Sequence, residues 1–151
     1  MKRVAHLLLG RQAVLAASFV VLCLSSCNKA KDVRAVDEEA GCRSLAGARS
    51  AFYAKHYDEA RDSIMSLRQN HPLALEARKQ GILLLDSIEL FAAQDSLDAL
   101  NMVAQRQYMS SLDNPDAPLQ LDSATYVDEH ERLDMKIKFF ERKIQEDKVR
   151  K

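Results

Sequence analysis

Residues 44–72, SLAGARSAFYAKHYDEARDSIMSLRQNHP, decide the fold of this chain. Apolar and ring-bearing residues recur at steps of three and four, first over Leu45–His56 and then over Tyr57–His71. Each series is typical of the apolar stripe of an amphipathic helix. The stretch therefore predicts two helices that pack against each other through these stripes.

The ends of the second helix are marked by its residue types. The turn is predicted at residues 55–58, where Asp58 is expected to cap the helix. Asp58 and Glu59 also suit the positive end of the helix dipole. Pro72 predicts that the helix stops at about His71, because the residue before a proline avoids the α conformation.

These residues also resemble a known repeat. The sequence Tyr57-Asp58-Glu59-Ala60, followed twelve residues later by Pro72, resembles the second helix of a tetratricopeptide repeat, a helix–turn–helix of 34 residues. Ala48 and Ala60 fall at its two small positions, whereas Lys55 and His56 stand where its glycine is expected. The resemblance implies a helical protein-binding module. An ordinary antiparallel helix pair is the other interpretation, and both have the same coarse fold.

The next segment, residues 73–112, is predicted to be helical and to cover the hairpin. Its stripe again has steps of three and four, and it comprises Ala77, Gly81, Leu84, Ile88 and Phe91. Gly81 indicates a close approach to a neighbouring helix. Asp95 and Asp98 are placed to cap a further helix, which would make residues 75–112 a second, degenerate hairpin. Alternatively, one helix runs straight through.

A loop with two prolines, residues 113–122, leads to a final helix over residues 123–151, capped by Asp122 or Ser123. The stripe of this helix has a heptad spacing and comprises Tyr126, His130, Leu133, Ile137, Phe140 and Ile144. Such a seam packs either on the same chain or, as a coiled coil, on a partner or a second copy. Phe139 beside Phe140 widens the stripe, which favours packing within the chain.

The N-terminal residues predict an export signal. Basic residues Lys2, Arg3 and Arg11 accompany the apolar run Ala13–Leu24. The run ends in Leu24-Ser25-Ser26-Cys27, which resembles the lipobox of bacterial lipoproteins. The resemblance implies that residues 1–26 are a cleaved signal peptide and that Cys27 carries fatty acyl groups such as palmitate.

The other interpretation of this end is an uncleaved membrane span over residues 4–24, which His6, Arg11 and Gln12 would interrupt. In enteric lipoproteins an Asp after the cysteine retains the protein in the inner membrane, so Asn28 favours the outer membrane. Residues 27–43 are polar and charged, and they are predicted to form a flexible, lipid-anchored linker before a helical domain over residues 44–112.

Composition supports an all-α protein with a limited set of functions. Lys and Arg number 22, as do Asp and Glu, so net charge gives no reason to expect nucleic acid as a partner. Tryptophan is absent and Gly and Pro are scarce. If Cys23 leaves with the signal peptide and Cys27 is acylated, Cys42 stands alone. It is then either a tolerated small residue or the donor of an intermolecular bridge.

No catalytic or metal-binding motif emerges. His130-Glu131 begins like the HExxH zinc motif, but Asp134 stands where the second histidine belongs. We therefore expect a non-catalytic lipoprotein, without cofactor or metal, that binds a protein or peptide partner. Phe52, Tyr53 and Tyr57 are the candidate partner-binding residues. The second hypothesis is a structural envelope component that forms homo-oligomers through the C-terminal helix.

Overall fold

A computed structural model of the chain describes residues 32–114 and 121–149. These residues form four α-helices and no β-strand, so the predicted all-α class is confirmed. The helices are α1 over residues 32–53 of the described part, α2 over Tyr57–Asn70, α3 over Leu75–Asp113 and α4 over Ser123–Val149. The lipobox with Cys27, and residues 115–120 of the proline loop, lie outside the described residues.

Helix α1 begins earlier than the sequence predicted. Residues 32–43, expected to be flexible linker, are helical. Asp37 Oδ2 accepts a hydrogen bond from the backbone N–H of Leu73 at 2.7 Å, and Glu38 Oε1 accepts one from Ala77 N–H at 2.7 Å. Glu38 thereby caps the first turn of α3 from outside that helix. The prediction was wrong because these polar residues are ordered by tertiary hydrogen bonds, which a local composition argument does not include.

The turn between α1 and α2 lies where the sequence predicted it. Lys55 adopts a left-handed φ of 60°, and the N–H of His56 bonds to the carbonyl of Ala51 at 2.9 Å. Together with the bond from Lys55 N–H to Phe52 O at 3.0 Å, this is a Schellman end to α1. Lysine thus occupies the left-handed position that usually favours glycine.

Helix α2 ends at Asn70, as Pro72 predicted, but Asp58 does not cap it. The N-cap residue is His56, which makes no side-chain capping bond, and Asp58 lies inside the first turn. Its carboxylate accepts a hydrogen bond from Arg61 Nη1 at 2.6 Å. The two acidic residues of this turn still stabilise the helix, because they lie at the positive end of its dipole.

The core lies where α1, α2 and α3 meet. Ile64, Leu67 and Ile88 are its largest fully buried side chains, and burial of each contributes about 1.5–3 kcal/mol. Ala48 and Ala60 are completely buried, which lets α1 and α2 approach closely. Two glycines let α3 approach as closely. Gly41 of α1 lies against Ala74 and Ala77. Gly81 of α3 lies against Leu67 and Ile64, and this close approach was predicted from the sequence.

Helix α3 runs unbroken for 39 residues, about 58 Å. The straight alternative is therefore the one observed, and no second hairpin forms. Asp95 does not cap a helix, because its carboxylate binds Tyr57 and Lys55 of the preceding hairpin. One side of α3 packs on α1 and α2, and the other packs on α4.

Helix α4 returns antiparallel along α3. Lys143 lies beside Asp86 near the start of α3, whereas Tyr126 donates to Asn101 at 2.9 Å further along. Asp122 caps α4 by accepting a hydrogen bond from Thr125 N–H at 2.9 Å, as predicted. The six seam residues are all buried or half-buried, with Leu133 the most buried. The seam packs within the chain, on α3.

Candidate protein-interaction surface

Four aromatic side chains meet at the end of the α1–α2 hairpin, and we call them the aromatic cluster: Phe52, Tyr53, Tyr57 and Phe91. Phe52 lies at the centre. Its ring centroid is 5.5 Å from those of Tyr53 and Phe91 and 6.3 Å from that of Tyr57. Phe52 is half-buried, but the Tyr53 side chain is 80% exposed, and Phe91 is exposed as well. A packed aromatic group with two exposed rings is suited to bind a protein, because exposed aromatics are large and lose little conformational entropy on binding.

The cluster is held on α3 by polar contacts. Tyr57 Oη donates to Asp95 Oδ2 at 2.6 Å, and Lys55 Nζ lies 3.0 Å from Asp95 Oδ1. Burial and the hydrogen bond to Asp95 raise the pKa of Tyr57 to about 12. The hydrogen bonds from Tyr57 and Lys55 lower the pKa of Asp95. Tyr57 is therefore a neutral donor that fixes the position of the rings beside it.

Beyond Asp95, the face of α3 that carries the hairpin continues without it. We call residues 96–113 the α3 extension, which adds about 27 Å of helix. The positions of Gly81 and Ile88 continue at seven-residue steps through Asp95 into Met102 and Met109. Met102 is 60% exposed and Met109 is also exposed. The side of α3 that the hairpin covers in its first half thus presents two methionines to solvent in its second half.

Electrostatic contacts fix the helices that present this surface. Glu89 of α3 accepts a hydrogen bond from Arg61 Nε of α2 and lies 2.7 Å from Lys136 Nζ of α4. Burial alone would raise the pKa of Glu89, but the hydrogen bonds from Arg61 and Lys136 outweigh it, and the pKa is lowered. One carboxylate therefore connects α2, α3 and α4.

At the far end of the extension, the side-chain amide of Gln107 makes two hydrogen bonds to the backbone of Leu121. Gln107 Nε2 donates to the carbonyl of Leu121 at 2.7 Å, and Leu121 N–H donates to Gln107 Oε1 at 2.8 Å. Both polar groups of the Gln107 side chain are thus used to hold the start of α4 against α3. The extension is consequently paired with the start of α4 rather than isolated.

The structure brings the three predicted partner-binding residues together, since Phe52, Tyr53 and Tyr57 all belong to the aromatic cluster. The sequence argument did not assign Phe91 or Met102 to this surface. Met102 lies two heptads after Ile88, so extending this series would have found it, but nothing local indicates that the hairpin ends before it. The lipidation candidate Cys27 lies outside the described residues.

The histidines of the described residues lie apart. His71 Nδ1 is 2.9 Å from Asp37 Oδ1, and His56 Nδ1 is 3.3 Å from Glu59 Oε2. His130 lies beside Tyr126, with ring centroids 5.6 Å apart and the rings tilted by 48°. Within residues 32–114 and 121–149, no group of three or more His, Cys, Asp or Glu side chains is arranged to hold a metal ion. Cys42 is exposed.

The described part of the chain contains no helix that is both long and apolar enough to span a membrane. The fold is thus an all-α arrangement with an exposed aromatic cluster and an open helix face. The chain matches no protein-family model, no curated protein and no solved structure. Its function must therefore be argued from its own residues.

Proposed function

We propose that this chain is a lipid-anchored, non-catalytic helical module of the bacterial cell envelope that holds a protein partner. The observation that carries the proposal is the side of α3 that faces the hairpin, because it is longer than the hairpin and exposes Met102 and Met109 beyond it. Met102 and Met109 continue a stripe whose earlier members are core residues. The aromatic cluster stands where the covered and open parts meet.

An amphipathic helix of a partner fits this surface. Such helices bind by laying an apolar face along a groove or helix, with anchors at steps of three and four. On this chain the partner would contact Met102 and Met109 and would reach Tyr53 and Phe91 at one end. Tyr53 and Phe91 would supply aromatic anchors at that end, and exposed charged residues of the extension would supply the polar rim.

The likeness to a tetratricopeptide repeat supports the same proposal. Ala48 and Ala60 are fully buried where that repeat needs small residues, and Lys55 adopts the left-handed conformation beside the position of its glycine. The unbroken α3 departs from the repeat pattern, in which a second turn would follow. We therefore propose one repeat-like hairpin, followed by a long pair of helices, α3 and α4.

The anchor is proposed from the lipobox-like sequence Leu24–Cys27 and, for the outer membrane, from Asn28. Two or more acyl chains hold a protein stably at a bilayer, whereas one holds only weakly. To test this, Cys27→Ser and the parent chain are expressed in cells supplied with labelled palmitate. The parent is expected to incorporate label and to fractionate with outer membranes. Unchanged mass and distribution in the variant would contradict the anchor.

The partner surface is tested separately in intact envelopes. A photo-crosslinking amino acid is placed at Met102, and another is placed at Met65, an exposed methionine on α2, as the matched control. We expect a discrete crosslinked protein from Met102, none from Met65, and loss of the product in a Tyr53→Asp background. Equal products from both positions, or no dependence on Tyr53, would contradict the proposed surface.

A further inference from the structure

A second apolar surface lies at the opposite end of the molecule from the α3 extension. It is a groove of about 570 Å³ between the start of α1 and the loop that joins α2 to α3. Its apolar walls are formed by Val33, Val36, Ala40, Pro72 and Leu73. Val36 is 67% exposed, and Val33 and Leu73 are also exposed. We call this surface the base.

The base lies at the end of the molecule where α1 and α3 begin and where α4 ends. Glu38 caps the first turn of α3, so the start of α1 lies beside the start of α3. Lys143 of α4 lies beside Asp86, and Val149 follows it six residues later toward the start of α3. Leu112 lies at the other end of α3, about 55 Å away along the helix axis, and we call this end the tip.

The connection to the proposed anchor places the base near lipid. Only four residues separate Cys27 from Asp32, so the chain between them spans at most about 18 Å. We infer that the base rests on the lipid bilayer surface, with Val33, Val36 and Leu73 in contact with the headgroup–acyl boundary and the α3 extension directed away from it. This inference depends on the proposed membrane anchor.

The side chains around the base favour an apolar contact over a charged one. The cations Arg34 and Arg78 stand among the acids Asp32 and Asp37, and Arg78 Nη1 donates to the carbonyl of Pro72 at 2.8 Å. Mixed signs give no preference for anionic lipid. The inferred contact therefore forms on zwitterionic phosphatidylcholine and persists at high salt, because burial of apolar side chains is not screened.

The groove also has a rigid floor. His71 Nδ1 lies 2.9 Å from Asp37 Oδ1, and Asp37 Oδ2 accepts the N–H of Leu73. These bonds join α1 to the loop, so Val36 and Leu73 are held on one surface. A preorganised apolar surface loses little conformational entropy when it contacts lipid.

The test uses the full chain, purified from membranes and reconstituted into phosphatidylcholine vesicles. An environment-sensitive fluorescent amino acid is placed at Val36, at Leu73 or, as the matched control, at Leu112, which is 61% exposed at the tip. Vesicles with and without nitroxide-labelled lipid are compared. We expect severalfold stronger quenching at Val36 and Leu73 than at Leu112, at low and at high salt.

Each other outcome has a defined meaning. Equal quenching at all three positions means that the molecule lies flat, and it overturns the inference. A blue-shifted but unquenched probe at Val36 means that protein, such as a second copy, covers the base, which also overturns it. A chain that floats with vesicles yet shows no quenching at Val36 contradicts this inference alone, whereas a chain that does not float contradicts the anchor too. Val36→Asp should abolish quenching at Leu73 without preventing flotation.

Discussion

At the scale of single residues, two glycines of α1 show how packing and propensity compete. A Cβ added at Gly41 would lie 2.6 Å from the Cβ of Ala74 and 3.2 Å from that of Ala77. A Cβ added at Gly47 would meet nothing within 4 Å. Both residues are helical with ordinary φ values, so the same substitution tests opposite effects in one helix.

Gly41→Ala is expected to destabilise the chain by about 1–3 kcal/mol, because α1 and the start of α3 must move apart. Gly47→Ala is the matched control and is expected to stabilise by up to about 1 kcal/mol, since alanine favours the helix and meets no neighbour. Urea denaturation followed by circular dichroism measures both. A stabilising Gly41→Ala would show that α1 does not pack on Ala74.

Tyr57 provides a second residue-scale prediction, because its pKa is raised to about 12 from a usual value of 10. In the folded chain the difference in absorbance between the parent and Tyr57→Phe should titrate with a midpoint near 12. The raised pKa means that the folded state holds this proton more tightly. Its contribution to stability is thus complete below pH 10 and is lost as the pH rises toward 12.

Asp95→Asn is the control for the cause of this shift. It retains a side chain of the same shape but removes the negative charge that opposes ionisation of Tyr57. The midpoint for Tyr57 should move down toward its usual value. If the midpoint stays near 12 in this variant, burial alone holds the pKa high, and Asp95 does not fix the aromatic cluster electrostatically.

At the scale of helices, the sequence predicted most elements but not how they continue. The hairpin, its turn and its end at Pro72 follow from local residue types and periodicity. The length of α3 does not, because Asp95 is equally suited to a helix cap and to the tertiary bond with Tyr57 that it makes. Helical order in residues 32–43 depends likewise on Asp37 and Glu38 reaching residues 35 or more positions away.

The candidate surface was predictable to a similar extent. Phe52, Tyr53 and Tyr57 lie within six residues of each other at a predicted turn, so their proximity follows from the sequence. Phe91 joins them only through the packing of α3 on the hairpin. That Met102 is exposed depends on where the hairpin stops, which is a property of the assembled helices rather than of any one segment.

Docking of α4 gives the prediction that belongs to this scale. Asp86 is 4% exposed, and its Oδ1 accepts a hydrogen bond from Lys143 Nζ at 2.6 Å. Its Oδ2 has no hydrogen-bond partner among the described residues. Lys143→Met would leave a buried carboxylate without its cation, and we expect a loss of about 1–3 kcal/mol.

Lys138→Met is the matched control, because Lys138 pairs with Asp134 within α4 at an exposed site. It should change stability by no more than about 0.5 kcal/mol. The double variant Asp86→Leu with Lys143→Met should recover most of the loss, since it replaces the ion pair by apolar packing. Equal effects of the two lysine variants would mean that the pair with Asp86 does not hold α4 on α3.

At the scale of the whole molecule, carboxylates join the parts. Asp37 connects α1 to the loop before α3, Asp95 connects the hairpin to α3, and Glu89 connects α2 and α4 through α3. Hydrogen bonds from their partners lower the pKa of all three. The fold therefore uses ionised acids at three of its junctions, while its largest fully buried side chains lie in α2 and in the first half of α3.

Acid is accordingly expected to destabilise the entire arrangement. A lowered pKa means that the unfolded state takes up protons first, so stability is present above the usual values of 3.8 for Asp and 4.5 for Glu and falls as the pH drops below them. Thermal unfolding measured from pH 6 to pH 3 should show a midpoint temperature that is level above about pH 5 and then declines.

The variant Glu89→Gln tests the source of this decline. It should lower the midpoint temperature at neutral pH and flatten its decline in acid, because that position can no longer gain a proton. Glu131→Gln, an exposed residue of α4, is the control and should follow the parent curve. If Glu89→Gln and Glu131→Gln have the same profile, the three-helix contact at Glu89 is not a source of stability in solution.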